Sequence, residues 1–102
     1  MALIDNISND LGHAYSVKTI DGGGVIYRKL ADYEFEVSGI KSTTGKCALY
    51  VWKLSPRILV GIYERIPVAN LSDILGHYAA KYQNLLDEIL VEREEIQVLK
   101  QH

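Results

Sequence analysis

Residues 33–65 read YEFEVSGIKSTTGKCALYVWKLSPRILVGIYER, and the fold turns on how they are read. Three runs rich in β-branched and aromatic residues, 33–40, 46–54 and 57–65, are separated by Lys41-Ser42-Thr43-Thr44-Gly45 and by Ser55-Pro56. Runs of this composition between turn-forming gaps are strands joined as hairpins. The gaps are too short for the crossover that a parallel pair needs, so the pairing is antiparallel. If Ile40 faces Lys46, Phe35 opposes Val51 and Val37 opposes Leu49. Glu34 and Glu36 then oppose Trp52 and Tyr50 on the reverse face. A tight turn at Ser55-Pro56 sets Val51 against Val60, Leu49 against Ile62, Trp52 against Leu59 and Tyr50 against Gly61. One face thus collects Tyr33, Phe35, Val37, Leu49, Val51, Ile58, Val60 and Ile62 as the expected core. A one-residue slip of the third strand would drive Glu34 and Glu36 into it, which specifies the register strongly.

Outward from this stretch, residues 14–20 and 25–30 predict two more strands across the turn Asp21-Gly22-Gly23-Gly24. Leu3, Ile4, Ile7 and Leu11 recur at helical spacing ahead of Gly12, which predicts a helix over 2–11. Alone, so short a helix is marginal in water, and it must dock. On the C-terminal side Pro67 and the candidate N-cap Asn70 open a helix over 70–100. Leu71, Leu75, Tyr78, Tyr82, Leu85, Ile89, Ile96 and Leu99 follow a three-four spacing, interrupted at Glu92. Such a helix is about 45 Å long, whereas the strands span about 27 Å, so two or three turns overhang the sheet. The overhang still carries Val91, Ile96 and Leu99 among charges. Tyr78, Tyr82, Leu85, Ile89, Ile96 and Leu99 are accordingly the expected self-association surface of a homodimer. The chain reads as one α+β domain, 1–102, with a short N-terminal helix, a four- to five-stranded antiparallel meander and a long C-terminal amphipathic helix on one face.

Composition bounds the function. With 102 residues, 48% of them apolar and 24% charged, the chain is one globular domain and not a disordered one. A net charge of −2 supplies no field that draws nucleic acid or anionic membranes to the whole surface. A lone cysteine, Cys47, permits no intrachain disulfide and suits a reducing compartment. Polar residues interrupt the N-terminus at Asp5, leaving no signal-peptide core. Apolar runs fall far short of the ~20 residues of a membrane span. A cytoplasmic location without membrane contact is expected.

No stretch carries a catalytic, metal or cofactor signature. Residues 39–47 approach a phosphate-binding loop, but one residue too many separates the glycines. Cys47 also replaces the required hydroxyl, and a strand follows where a helix is needed. His13, His77 and His102 have no metal-ligand spacing with one another or with Cys47. Glu34 and Glu36 have the spacing of an acid–base pair, yet equally that of the solvent side of a half-exposed strand. A three-residue loop at 30–32 would bring Arg28 opposite Glu34 in a surface ion pair worth ~0–1 kcal/mol.

The most informative feature is the reverse face of the sheet, where Tyr50, Trp52, Leu59 and Tyr63 are expected, with Ile26 and Ile40 nearby. Apolar surface of this kind marks an interface or a groove. The N-terminal helix, a second subunit or a partner could cover it; the expected division is helix over one part and partner over the rest. Tyr50, Trp52, Leu59, Tyr63, Arg28, Glu34 and Glu36 form the candidate partner-binding set. The expected function is a non-enzymatic homo-oligomeric binding or adaptor protein acting through protein–protein contact. One alternative is a single-stranded nucleic-acid binder stacking bases on the aromatic face, disfavoured by Glu34 and Glu36. Another is a small-molecule binder or enzyme with a pocket between sheet and helices.

Overall fold

The computed structural model describes residues 3–20 and 22–100, for 87–100 the helical backbone alone. The order is α1 (Leu3–Leu11), β1 (Ser16–Ile20), β2 (Gly23–Leu30), β3 (Tyr33–Ser38), β4 (Lys46–Lys53), β5 (Ile58–Pro67), a 3-10 turn (Val68–Asn70) and α2 (Leu71–Lys100). The strands form one antiparallel sheet in the order β1-β2-β3-β4-β5. This is the expected architecture: a short helix, a five-stranded meander and a long helix packed on it.

The centre of the sheet has the expected register, with Phe35 opposite Val51, Val37 opposite Leu49, Glu34 opposite Trp52 and Glu36 opposite Tyr50. Tyr33, Phe35, Val37, Leu49 and Val51 are buried. Each such side chain contributes about 1.5–3 kcal/mol relative to exposure. Leu71, Leu75 and Tyr82 of α2 close over them, and Ile26, Cys47, Ile66 and Val68 complete the cluster.

The structure departs from expectation in three places. The first is β5. Trp52 faces Leu59, but a bulge follows, and beyond it Val51 faces Gly61, Tyr50 faces Ile62 and Leu49 faces Tyr63. One extra residue in an element of period two exchanges its faces. Ile62, expected in the core, faces Tyr50 on the reverse side and is 52% exposed; Val60 is the extra residue, at 44%. Ile58, ahead of the bulge and opposite Lys53, keeps the expected face but is 52% exposed at the strand end. Tyr63, expected on the reverse face, turns to α2 and stacks on Tyr78 at 3.9 Å between ring centroids. The reason lies at Gly61, where an added Cβ would sit 2.5 Å from Tyr82 Oη and 2.9 Å from the Tyr63 ring. Only the residue without a side chain lets α2 approach this strand.

The second departure is the β2–β3 hairpin, which turns through Ala31-Asp32 alone and pairs Leu30 with Tyr33. Arg28 therefore opposes Phe35, Lys29 opposes Glu34, and Ile26 opposes Val37 in the core. The third concerns α1. Its residues Ile4, Ile7 and Leu11 pack against the same cluster as α2, and Ile40 joins them. A Cβ on Gly24, which shares the face of Ile26, would lie 3.3 Å from Ile4 Cδ1. Both helices thus occupy one side of the sheet, and α1 does not cover the reverse face.

α2 outruns the sheet. Its 30 residues span about 45 Å, and the molecule measures 60 × 26 × 24 Å. The radius of gyration is 16.3 Å, against about 13 Å for a compact domain of this length.

Candidate functional site

Strand alternation sets Lys18, Tyr27, Glu34, Glu36, Tyr50, Trp52 and Leu59 on the reverse face. Arg57, in the β4–β5 turn, folds back across them. Its Nε donates to Glu34 Oε1 at 3.2 Å and its Nη2 to Glu36 Oε1 at 2.6 Å. The guanidinium carbon lies 3.8 Å from the centroid of the Trp52 ring, in the range of a cation–π contact. Tyr27 Oη donates to Glu34 Oε2, and Lys18 Nζ stands 3.6 Å over the Tyr27 ring. One connected network therefore runs from Lys18 through Tyr27, Glu34 and Arg57 to Glu36, capping the indole. Among the described residues Trp52 Nε1 is the enclosed side-chain polar atom without a hydrogen-bond partner.

The contacts shift the titration of two groups in this network. The Tyr27 hydrogen bond, followed by Arg57, lowers the Glu34 carboxyl below its usual range. Partial burial and the Glu34 carboxylate push the Tyr27 phenol up to about 12. A general acid or base is matched to its working pH, and both groups move away from neutrality. Glu34 and Glu36 are thus bridged by Arg57 in a carboxylate–guanidinium pairing. With Arg57 half exposed, the bridges contribute no more than ~1 kcal/mol each.

A second surface lies along β5, the end strand of the sheet. Ile58, Leu59, Val60 and Ile62 are exposed along it. β1, the opposite edge, has five residues and carries Lys18, a charged and short edge of the kind that resists unwanted pairing. β5 has ten residues and an apolar row. Beside it, an open cleft of about 600 Å³ runs between β5 and α2, lined in part by Ile62, Arg65, Ile74, His77 and Tyr78. Tyr63 Oη lies 2.8 Å from Tyr82 Oη and accepts from Lys81 Nζ at 3.4 Å. Burial and the Tyr63 hydrogen bond raise the Tyr82 phenol far above its ordinary value.

Of the candidate partner-binding residues, Tyr50, Trp52, Leu59, Glu34 and Glu36 lie together on the reverse face. Tyr63 does not, because of the β5 bulge. Arg28 does not either: its side chain shares the helix-bearing face, with Nη1 donating to Tyr15 Oη at 3.3 Å. Sequence reasoning missed Lys18, Tyr27 and Arg57. A two-residue hairpin at 31–32 would have put Tyr27 opposite Glu36, but nothing local announced that Arg57 returns across two strands. Of the expected self-association positions, Tyr82 is buried within the chain, Tyr78 is stacked on Tyr63 and Leu85 is exposed. Ile89, Ile96 and Leu99 lie outside the described side chains. Cys47 is buried, and burial pushes its thiol up, away from the thiolate form.

Among the described residues no group of three or more His, Cys, Asp or Glu side chains could hold a metal ion. No described helix is long and apolar enough to cross a membrane. No family model, no curated protein and no solved structure matches this chain.

Proposed function

We propose that the chain is a non-enzymatic, homo-oligomeric binding protein that engages an extended segment of another polypeptide along β5. The observation that carries this reading is the row Ile58, Leu59, Val60 and Ile62, exposed on an edge strand that pairs only with β4 among the described strands. Folded chains usually blunt such an edge with charge, proline, shortness, a bulge or a cover. Glu64, Arg65 and Pro67 blunt the second half of β5, but Ile58–Ile62 carries no charge. An apolar edge segment suits strand addition, in which main-chain hydrogen bonds hold the incoming chain and side chains select it. The reverse-face network, with Tyr50 and Trp52, is then a polar flank beside the docking strand. The same reading places the protein in the cytoplasm, which a free buried thiol at Cys47 suits.

A second reading, single-stranded nucleic acid on the reverse face, draws on Tyr27, Tyr50 and Trp52 beside Lys18 and Arg57. It is the weaker because Arg57 is engaged by two carboxylates and covers the indole face a base would need. Backbone amide NMR separates the two. A short peptide of alternating valine and threonine is expected to shift the amides of 58–66, and oligothymidylate at low salt to shift nothing. Shifts at Tyr27, Tyr50 and Trp52 with oligothymidylate would support the second reading; a silent β5 with the peptide refutes the first.

A further inference from the structure

We infer that α2 joins α2 of a second copy as a parallel, in-register, two-stranded coiled coil that begins at Leu85. The inference rests on the homo-oligomeric part of the function proposed above and gives it a surface and an orientation. The apolar positions of α2 form a heptad ladder: Leu71, Tyr78, Leu85, Glu92 and Leu99 at d, and Leu75, Tyr82, Ile89 and Ile96 at a. The sheet consumes the first half of this ladder, since Leu71, Leu75 and Tyr82 are buried and Tyr78 is stacked on Tyr63.

The second half cannot follow it onto the sheet. A straight helix drifts ~20° per heptad against a 3.5-residue repeat, so the ladder rotates away from the direction in which the sheet lies. The changeover occurs at Leu85 and Leu86. Leu86 packs against the core, while Leu85, the ladder residue, is 37% exposed. From there the helix continues to Lys100. A second chain can meet the ladder at Leu85 without displacing the sheet.

The occupant follows from the residues at each heptad position. Isoleucine at a (Ile89, Ile96) with leucine at d (Leu85, Leu99) favours two parallel strands. The flanking charges select the same orientation. In a parallel pair the g position Glu88 falls opposite the e position Arg93 of the second copy, and Glu95 falls opposite its Lys100. An antiparallel pair would set Glu88 against Glu95 and Arg93 against Lys100, like against like. For none of these four does the sequence place an opposite charge three or four residues away on the same helix. Complementarity to a second copy accounts for a pattern that intrahelical pairing does not. Glu92 at d weakens the seam and pins its register, the usual effect of a polar seam residue. The short seam suffices because the sheet has already ordered the first turns of α2, so association bears little of the nucleation cost.

Single cysteines test the orientation. In the full chain with buried Cys47 left in place and the unmodified protein as control, Leu85→Cys and Leu99→Cys are each expected to cross-link under mild oxidation. The product should have twice the 11.5 kDa chain mass. Gln97→Cys, off the seam, should stay single. Glu92→Leu is expected to tighten self-association at least tenfold. Glu88→Lys with Glu95→Lys should weaken it, and mixing with Arg93→Glu/Lys100→Glu should restore it. A dimeric mass without cross-links at both positions overturns the parallel seam and leaves the homo-oligomer standing. A mass of 11.5 kDa at every concentration overturns both.

Discussion

Gly61→Ala tests whether α2 sets the register of β5. The new Cβ would lie 2.5 Å from Tyr82 Oη and 2.9 Å from Tyr63 Cε2. Tyr82 cannot swing clear cheaply, because its ring is 4.9 Å from that of Tyr33 and 5.7 Å from that of Phe35, centroid to centroid. Overpacking of this kind costs about 1–3 kcal/mol. For a domain of this length each kcal/mol lowers Tm by about 5 °C, so a fall of about 5–15 °C is expected. Tyr82→Phe removes the hydroxyl and its contact with Tyr63 Oη, at about 0.5–1.5 kcal/mol. The double variant should be more stable than the sum of the singles by roughly 1 kcal/mol, because the nearest of the clashing atoms is gone while the Tyr63 ring remains. Urea unfolding of the four proteins measures the cycle. If Gly61→Ala is neutral, or if the cycle is additive within about 0.5 kcal/mol, close approach of α2 does not decide the strand's register.

The reverse-face network yields two further expectations. Arg57→Ala uncovers the single tryptophan of the chain, so Trp52 emission should move to longer wavelength, while loss of the two bridges lowers stability by no more than about 2 kcal/mol; unchanged emission would show that the guanidinium does not cap the ring. The folded-state pKa of Glu34 is depressed, so its contribution to stability is present above its unfolded value near 4.3 and is lost as pH falls through the folded value. Glu34→Gln should remove that acid-side loss. Tyr27 is raised to about 12, so its contribution is present below its unfolded value near 10 and is lost as pH climbs toward 12. Tyr27→Phe should flatten that alkaline arm, and parallel slopes for variant and parent would contradict the Tyr27–Glu34 bond.

How far the sequence could be read varied from strand to strand for a physical reason. In YEFEVS, Glu34 and Glu36 alternate with Tyr33, Phe35 and Val37, so a one-residue slip buries charge and the inward face is specified. In RILVGIYER both parities are apolar, Ile58, Val60 and Ile62 on one and Leu59 and Tyr63 on the other. Alternation therefore carries no information about which side faces in. The candidate site divided likewise: the placing of Glu34, Glu36, Tyr50 and Trp52 follows from the β3–β4 register, whereas Arg57 reaches Glu34 and Glu36 from 23 and 21 residues away.

Local chemistry alone therefore determined the class of fold, the order of its elements, the antiparallel meander and the central core, because each depends on periodicity and turn composition within a few residues. Tertiary structure decided the face of β5, the side on which α1 docks and the grouping of Lys18, Tyr27 and Arg57 with the two glutamates. Those choices depend on whether a side chain fits between layers that meet only once the chain has folded, at Gly61 beneath Tyr82 and at Gly24 beneath Ile4. No window of sequence contains both partners of such a contact.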